Sequence, residues 1–171
     1  SGSGKSTVAR QLSETSGMIQ LRSDVERKRL SGLDAADKSR SGLDEGLYSS
    51  SQTEKTYRHL AELATGVLQA GYSVIVDATF LQRRYRDVFR NLAEEHGVAF
   101  TIVHCVATDQ ELEQRIQARE REGGDPSEAT LGVLNAQRKN QQPPYLDEAS
   151  HVIRLDGESI NDPGAAWRRR R

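Results

Sequence analysis

The sequence has one cysteine, Cys105, in 171 residues. A single thiol excludes an internal disulfide framework and a cysteine-based zinc site, and it fits a reducing cytoplasm. Aromatic residues make up only 5% of the chain, with one tryptophan, which argues against a stacking platform for single-stranded nucleic acid. Long apolar runs are absent too. The best stretch, residues 98–107, is interrupted by Thr101 and His104 and is far too short to span a bilayer. Nor is there an excess of positive charge: Lys and Arg total 24, Asp and Glu 25. Four of the basic residues are the arginines at 168–171, so residues 1–167 carry 20 positive against 25 negative charges, a net of −5. Such a body is a poor general binder of nucleic acid, a local basic groove apart. The four histidines fall on four different predicted elements, without the carboxylate or cysteine spacing of a metal site.

What is present is an alternation. Apolar, β-branched runs at 18–21, 73–78, 99–106 and 151–155 stand next to glycine or a charged turn and read as buried parallel strands. Between them, Tyr57, Leu60, Ala61, Ala64, Val67 and Leu68 recur at helical spacing, as do Tyr85, Val88, Phe89, Leu92 and His96. Leu112 and Ile116 share a face of a third, charge-rich helix. Strand and helix in alternation predict an α/β domain with a mostly parallel sheet, over residues 1–160, followed by a tail at 161–171. Two loops stand out, at 31–51 and 122–128, and long loops in such a domain are usually functional.

The first seven residues, Ser-Gly-Ser-Gly-Lys-Ser-Thr, match the end of the phosphate-loop pattern G-x-x-x-x-G-K-[ST]. Gly4 lets the backbone turn so that successive amides face a phosphate. Lys5 reaches the β- and γ-phosphates, and Ser6 offers its hydroxyl to Mg²⁺. The helix that begins here, with Val8 and Leu12 on its apolar face, aims its positive end at the same anion. The opening glycine of the pattern, and the strand that feeds the loop, are expected ahead of Ser1. That strand is central in such a fold, so its neighbours are expected to lose ladder partners without it. A disordered Gly/Ser-rich end is the competing reading.

Three further groups carry charge in suggestive places. Asp24 follows the 18–21 run directly, at the carboxyl end of a strand, where open α/β sheets place ligands. A carboxylate there can take a proton from a hydroxyl, and Arg27, three residues on, can hold an anionic group. A helix-capping Asp24 with a local salt bridge to Arg27 explains the same spacing. Asp77 ends the 73–78 strand and can hold the water shell of Mg²⁺ or orient a substrate; a strand-end cap is its plainer role. Ala78 follows it, where hydrolytic motors often carry a glutamate. Arg115 and Arg119 share one helix face before the glycine-rich 122–128 loop, as a lid with guanidinium groups requires. A solvated face with Glu111–Arg115 pairing is the alternative.

In order, these segments resemble the polynucleotide-kinase and zeta-toxin-like group of P-loop kinases. They are most similar to the AAA-family ATP-binding predicted kinases, which often form the C-terminal half of proteins with an aminoglycoside-phosphotransferase-like N-terminal domain. The resemblance spans about residues 1–156 and implies a P-loop NTPase three-layer sandwich with a helical lid. It further implies that Gly2 to Thr7, including Ser3 and Thr7, bind ATP with Mg²⁺, and that Asp24 is the general base. Arg27, Asp77 and Thr79 would line the acceptor side. Arg115 and Arg119 would belong to the lid, with Arg119 the transition-state arginine, and Asp156 would lie near adenine. The implied reaction is transfer of the γ-phosphate of ATP to a hydroxyl of a small-molecule, nucleotide or polynucleotide acceptor. An ATP-binding regulatory module, or an ATP hydrolase, remains the alternative.

Overall fold

The computed structural model describes residues 2–34, 37, 49–122, 130–156 and 162–168. Their elements run α1 (Lys5–Ser16), β1 (Ile19–Arg22), α2 (Ser23–Leu30), α3 (Ser50–Gln69), β2 (Val74–Asp77), α4 (Arg83–Glu95), β3 (Ile102–Cys105), α5 (Asp109–Glu122) and α6 (Leu131–Asn140). A 3-10 turn (Leu146–His151), β4 (Val152–Leu155) and α7 (Pro163–Arg168) complete the order. Each glycine-bounded apolar run becomes a four-residue strand. The longest expected run, 99–106, is paired only over Ile102–Cys105. The loop expected over 31–51 ends earlier, because Ser49 caps α3: its hydroxyl accepts from the Gln52 amide at 3.3 Å. Residues 35–36 and 38–48 of that loop, and 123–128 of the other, lie outside the described residues.

All described strand pairs are parallel, as the alternation predicts. β1 pairs with β2 so that Arg22 stands beside Asp77, and β3 pairs with β4 so that Cys105 stands beside Leu155. Among the described residues the sheet therefore comes as two halves. The facing edges of β2 and β3 border a cleft of about 1110 Å³, with Ile75, Val103, Val8 and Leu12 among its walls.

Strand alternation sorts side chains onto two faces. Val74 and Val76 point to a cluster built on Tyr57, Leu60 and Ala64 of α3 and Tyr85 and Phe89 of α4. Ile75, with Val103 and Cys105 of β3, points to Val8 and Leu12 of α1. One helix thus bridges both half-sheets, and the chain has three layers. The segment read as a tail contributes α7, whose Trp167 packs on the same α1 cluster. The same alternation delivers Asp77, two residues after Ile75, to the α1 face.

Candidate phosphate-binding and acceptor site

The site grows from the mouth of α1. Gly4 is the residue before the helix and has φ 86°, a left-handed conformation that glycine adopts without steric penalty. Gly2 has φ 79°, and a Cβ there would meet the Leu112 carbonyl at 3.1 Å. Both glycines are thus required by the backbone path. The first amides of α1 have no partner within the helix, and the helix dipole adds positive potential at the same end.

Lys5 Nζ lies 3.2 Å from Oδ1 of Asp77 and 3.3 Å from the Ser6 hydroxyl. Asp77 is 5% exposed. Its Oδ2 accepts from Gln20 Nε2 at 3.2 Å and faces Arg22 Nε at 3.8 Å. Oδ1 is within ion-pair distance of Lys5 but is not aligned with any donor for a hydrogen bond. It is a buried carboxylate oxygen with acceptor capacity left over. The Ser6 hydroxyl and this oxygen both lie within 3.3 Å of Lys5 Nζ, and a hydroxyl with a carboxylate is the oxygen donor chemistry that suits Mg²⁺. The residues present therefore fit a metal–polyphosphate group.

Cys105 borders this cluster. Burial pushes its thiol up to about 11, the negative charge of Asp77 pushes the same way, and Lys5 opposes them. The thiol packs with Val8 and Leu12, in keeping with the inert role its surroundings suggest. Among the described residues no group of three or more His, Cys, Asp and Glu side chains is placed to hold a metal, and no helix is long and apolar enough to cross a membrane.

The second half of the site lies one strand over. β1 ends at Arg22 and α2 begins at once, with Asp24 in its first turn. The residue preceding α2 is Arg22, with no side-chain cap, so Asp24 is not the capping residue that its spacing also allowed. Asp24 Oδ1 and Arg27 Nη1 stand 3.9 Å apart, at the edge of ion-pair range. Arg27 is 9% exposed, a buried guanidinium. Its charge is felt by the Tyr57 hydroxyl, which faces the Thr79 side chain and accepts from the Phe80 amide at 3.0 Å. Burial nevertheless dominates and raises the Tyr57 phenol above its ordinary range. Asp24, Arg27, Tyr57 and Thr79 thus lie around the carboxyl ends of β1 and β2, where Arg22 stands beside Asp77.

The remaining expected residues are more dispersed. α5 opens on a reciprocal cap: the Thr108 amide donates to Glu111 at 2.8 Å, and Glu111's amide donates back to the Thr108 hydroxyl at 3.3 Å. Arg115, one turn on, donates to the Gly2 carbonyl at 3.3 Å and pairs with Glu111 at 3.4 Å. It therefore touches the phosphate loop and also makes the local pair that was its plainer reading. Arg119 lies on α5, and its side chain is outside the described residues. Asp156 follows β4, where it is exposed and pairs with Arg154 at 3.1 Å.

Four participants escaped the sequence reading. Gln20 and Arg22 were legible in principle, since aligning the runs at 18–21 and 73–78 as parallel neighbours puts them beside Asp77. Tyr57 was read as core, and its ring is core; only its hydroxyl faces the site. Arg86, which donates to the carbonyl of Phe80 beside Thr79 at 3.0 Å, has no local signal at all.

The family profile of the AAA domain matches residues 1–144. An uncharacterized protein of Mycobacterium tuberculosis and one of Mycobacterium bovis are each 33% identical over 135 residues, covering 79% of this chain. The matched part spans 26% of those proteins, so this chain corresponds to about a quarter of their length. Among solved structures, a sugar kinase from Janibacter sp. superposes with a TM-score of 0.67 at 24% identity, covering 99% of this chain and 86% of that one. A gluconokinase from Sinorhizobium meliloti gives 0.65 at 21% identity, with 99% and 87% covered. The Mycobacterium tuberculosis APS kinase, solved with AMPPNP and APS, gives 0.62 at 24% identity, with 98% and 92% covered. These likenesses establish the fold as that of P-loop kinases, and the profile match over most of its length shows that the chain belongs to the AAA domain family.

Proposed function

We propose that this chain is an ATP-dependent phosphotransferase that moves the γ-phosphate to a hydroxyl of a small-molecule acceptor. The observation that carries the reading is the convergence of Lys5, Ser6 and the buried Asp77 at the mouth of α1, with the Asp24–Arg27 pair at the neighbouring strand end. Gly2, Ser3, Gly4 and Thr7 form the backbone cradle for the donor phosphates, and Lys5 neutralises their developing charge. Ser6 and Asp77 hold Mg²⁺, which supplies charge neutralisation on the phosphate oxygens when bound. Asp24 accepts the proton of the attacking hydroxyl, and Arg27 holds an anionic part of the acceptor. Asp77 and Thr79 line the acceptor side. Arg115 braces the phosphate loop, Arg119 stabilises charge on the transferring group, and Asp156 flanks the base. Little covalent work is asked of the protein; positioning and charge stabilisation do most of it.

The sugar kinase and gluconokinase among the structural neighbours support a small acceptor, and the −5 charge of residues 1–167 disfavours a long polynucleotide. The test is the whole chain with γ-labelled ATP, Mg²⁺ and a panel of sugars, nucleosides and 5′-hydroxyl oligonucleotides. Label transfer to an alcohol supports the reading. Tight Mg·ATP binding without transfer to any alcohol favours a regulatory nucleotide-binding module of a longer protein, a reading supported by the quarter-length match to the mycobacterial relatives.

A further inference from the structure

Phe80 is the one non-glycine residue with positive φ among the described residues, at 44°. Such a conformation is disfavoured for a bulky side chain and persists only where surroundings enforce it. Here the enforcement is visible on every side. The Phe80 amide donates to the Tyr57 hydroxyl at 3.0 Å, and its carbonyl accepts from Arg86 Nη1 at 3.0 Å. Its ring meets Tyr57 at 5.3 Å and Phe89 edge-on at 5.4 Å. The turn so fixed runs directly from Asp77 and contains Thr79.

Arg86 does not act on this turn alone. Its side chain is 4% exposed, and each end of the guanidinium is committed. Nε and Nη2 donate to the two oxygens of Glu148 at 2.7 and 2.8 Å, and Nη1 also donates to the Gln142 carbonyl at 2.9 Å. The Gln142 amide donates to the Leu81 carbonyl at 2.7 Å, and its side-chain oxygen accepts from the Arg83 amide at 2.8 Å. Gln142 thereby satisfies an otherwise unpaired amide at the start of α4. The segment 142–148 follows α6, whose Arg138 pairs with Asp109 and Glu113 of α5, and α5 reaches the phosphate loop through Arg115. A planar, five-donor fork is the side chain suited to joining two carbonyls and a carboxylate at once.

We propose that Arg86 is a positioning residue that makes the geometry of the Thr79–Phe80 turn conditional on the seating of the 142–148 segment, and so ties the acceptor side of the site to α6 and, through it, to α5, which touches the phosphate loop. The assignment of Thr79 to the acceptor side rests on the phosphotransferase reading. The physical linkage through Arg86 does not.

Hydrogen exchange resolved at single amides of the whole chain tests the linkage. Tyr57→Phe removes the direct bond to Phe80 while keeping the ring, and sets the scale: Phe80 exchange should rise about tenfold relative to Leu60 in the α3 core. Glu148→Gln, which touches Arg86 but not Phe80, should raise Phe80 exchange by a similar factor, again about tenfold relative to Leu60. Arg86→Lys keeps the charge but loses the fork, should do the same, and decides the matter should Glu148→Gln not fold. A ratio of Phe80 to Leu60 exchange that stays unchanged, whether both rise together or neither does, overturns the proposal, because a merely structural pair weakens the whole body alike. Calorimetric titration with Mg·AMPPNP is run alongside. Absence of binding by the unmodified chain defeats the phosphotransferase reading and leaves the exchange comparison intact.

Discussion

Lys5 and Asp77 meet across 3.2 Å although seventy-two positions separate them, and each supplies what the other lacks. The ammonium lowers the cost of burying the carboxylate, and the carboxylate draws the ammonium over the loop rather than out into solvent. On the proposed reading, a polyphosphate in the cradle would compete with Asp77 for the lysine, and Asp77 would be left to hold a cation. Lys5→Ala is therefore expected to abolish phosphate transfer and to weaken Mg·ATP binding by about ten- to a hundredfold, the range of a lost charge-assisted hydrogen bond. Calorimetric titration checks this. Affinity within twofold of the unmodified chain would remove Lys5 from the donor site.

Cys105 offers an independent view of the same pair. Its thiol is raised from 9.0 to about 11 by burial first and by Asp77 second, with Lys5 acting the other way. The folded state therefore holds the proton more tightly than the unfolded one. The contribution to stability is full below pH 9 and is lost as pH rises through about 11. Alkylation of the folded protein should be slow at neutral pH and accelerate with an apparent midpoint near 11. Asp77→Asn should move that midpoint down, and Lys5→Ala should move it up. Shifts in the same direction for both substitutions would mean the thiol does not sense the pair.

Among the described residues the facing edges of β2 and β3 have no strand partner, and they lie above an apolar floor of Val8 and Leu12. An extended, β-branched segment joined ahead of Ser1 should dock there in parallel and complete one continuous sheet. Each buried Val or Ile contributes roughly 1.5–3 kcal/mol against about 1–2 kcal/mol of backbone ordering per residue. A net gain of about 1–2 kcal/mol raises Tm by roughly 2–8 °C in a chain of this length. Thermal unfolding of the extended chain, with exchange protection appearing at Val74–Asp77 and Ile102–Cys105, is the measurement. An unchanged Tm with both edges still exchanging freely counts against it.

The divide between what was legible in the sequence and what was not follows the range of the forces involved. The phosphate loop is read from contiguous residues, because its glycines, lysine and hydroxyl act through one stretch of backbone. The strands are read because burial on both faces imposes an apolar run, although pairing trims 99–106 to Ile102–Cys105. The position of Asp77 follows from a strand end. Arg86, by contrast, sits in a helix dense in arginine, and nothing local separates it from Arg83, Arg84 or Arg90. Its role is set by Glu148, sixty-two positions away, and by a carbonyl of a strained turn. Tyr57 is similar: periodicity assigns the ring to the core and is silent on the hydroxyl. Partners chosen by tertiary packing leave no spacing to read.

Asp24 decides whether the acceptor half is chemistry or scaffold. Its carboxylate opens α2 without capping it and stands 3.9 Å from Arg27, too far for a tight pair. A carboxylate kept only for an ion pair would be better placed, and one meant to receive a proton gains from staying loosely held. Asp24→Asn preserves size and removes the basic oxygen. Turnover with an accepted alcohol should fall by about a hundred- to ten-thousandfold, the share a positioned general base supplies, while Mg·ATP affinity stays within about twofold. Arg27→Met should instead raise the KM for an anionic acceptor more than it lowers kcat, since it removes binding rather than proton transfer. If Asp24→Asn left turnover intact, the proton would have to leave by another route, and the pair would be a structural feature of α2.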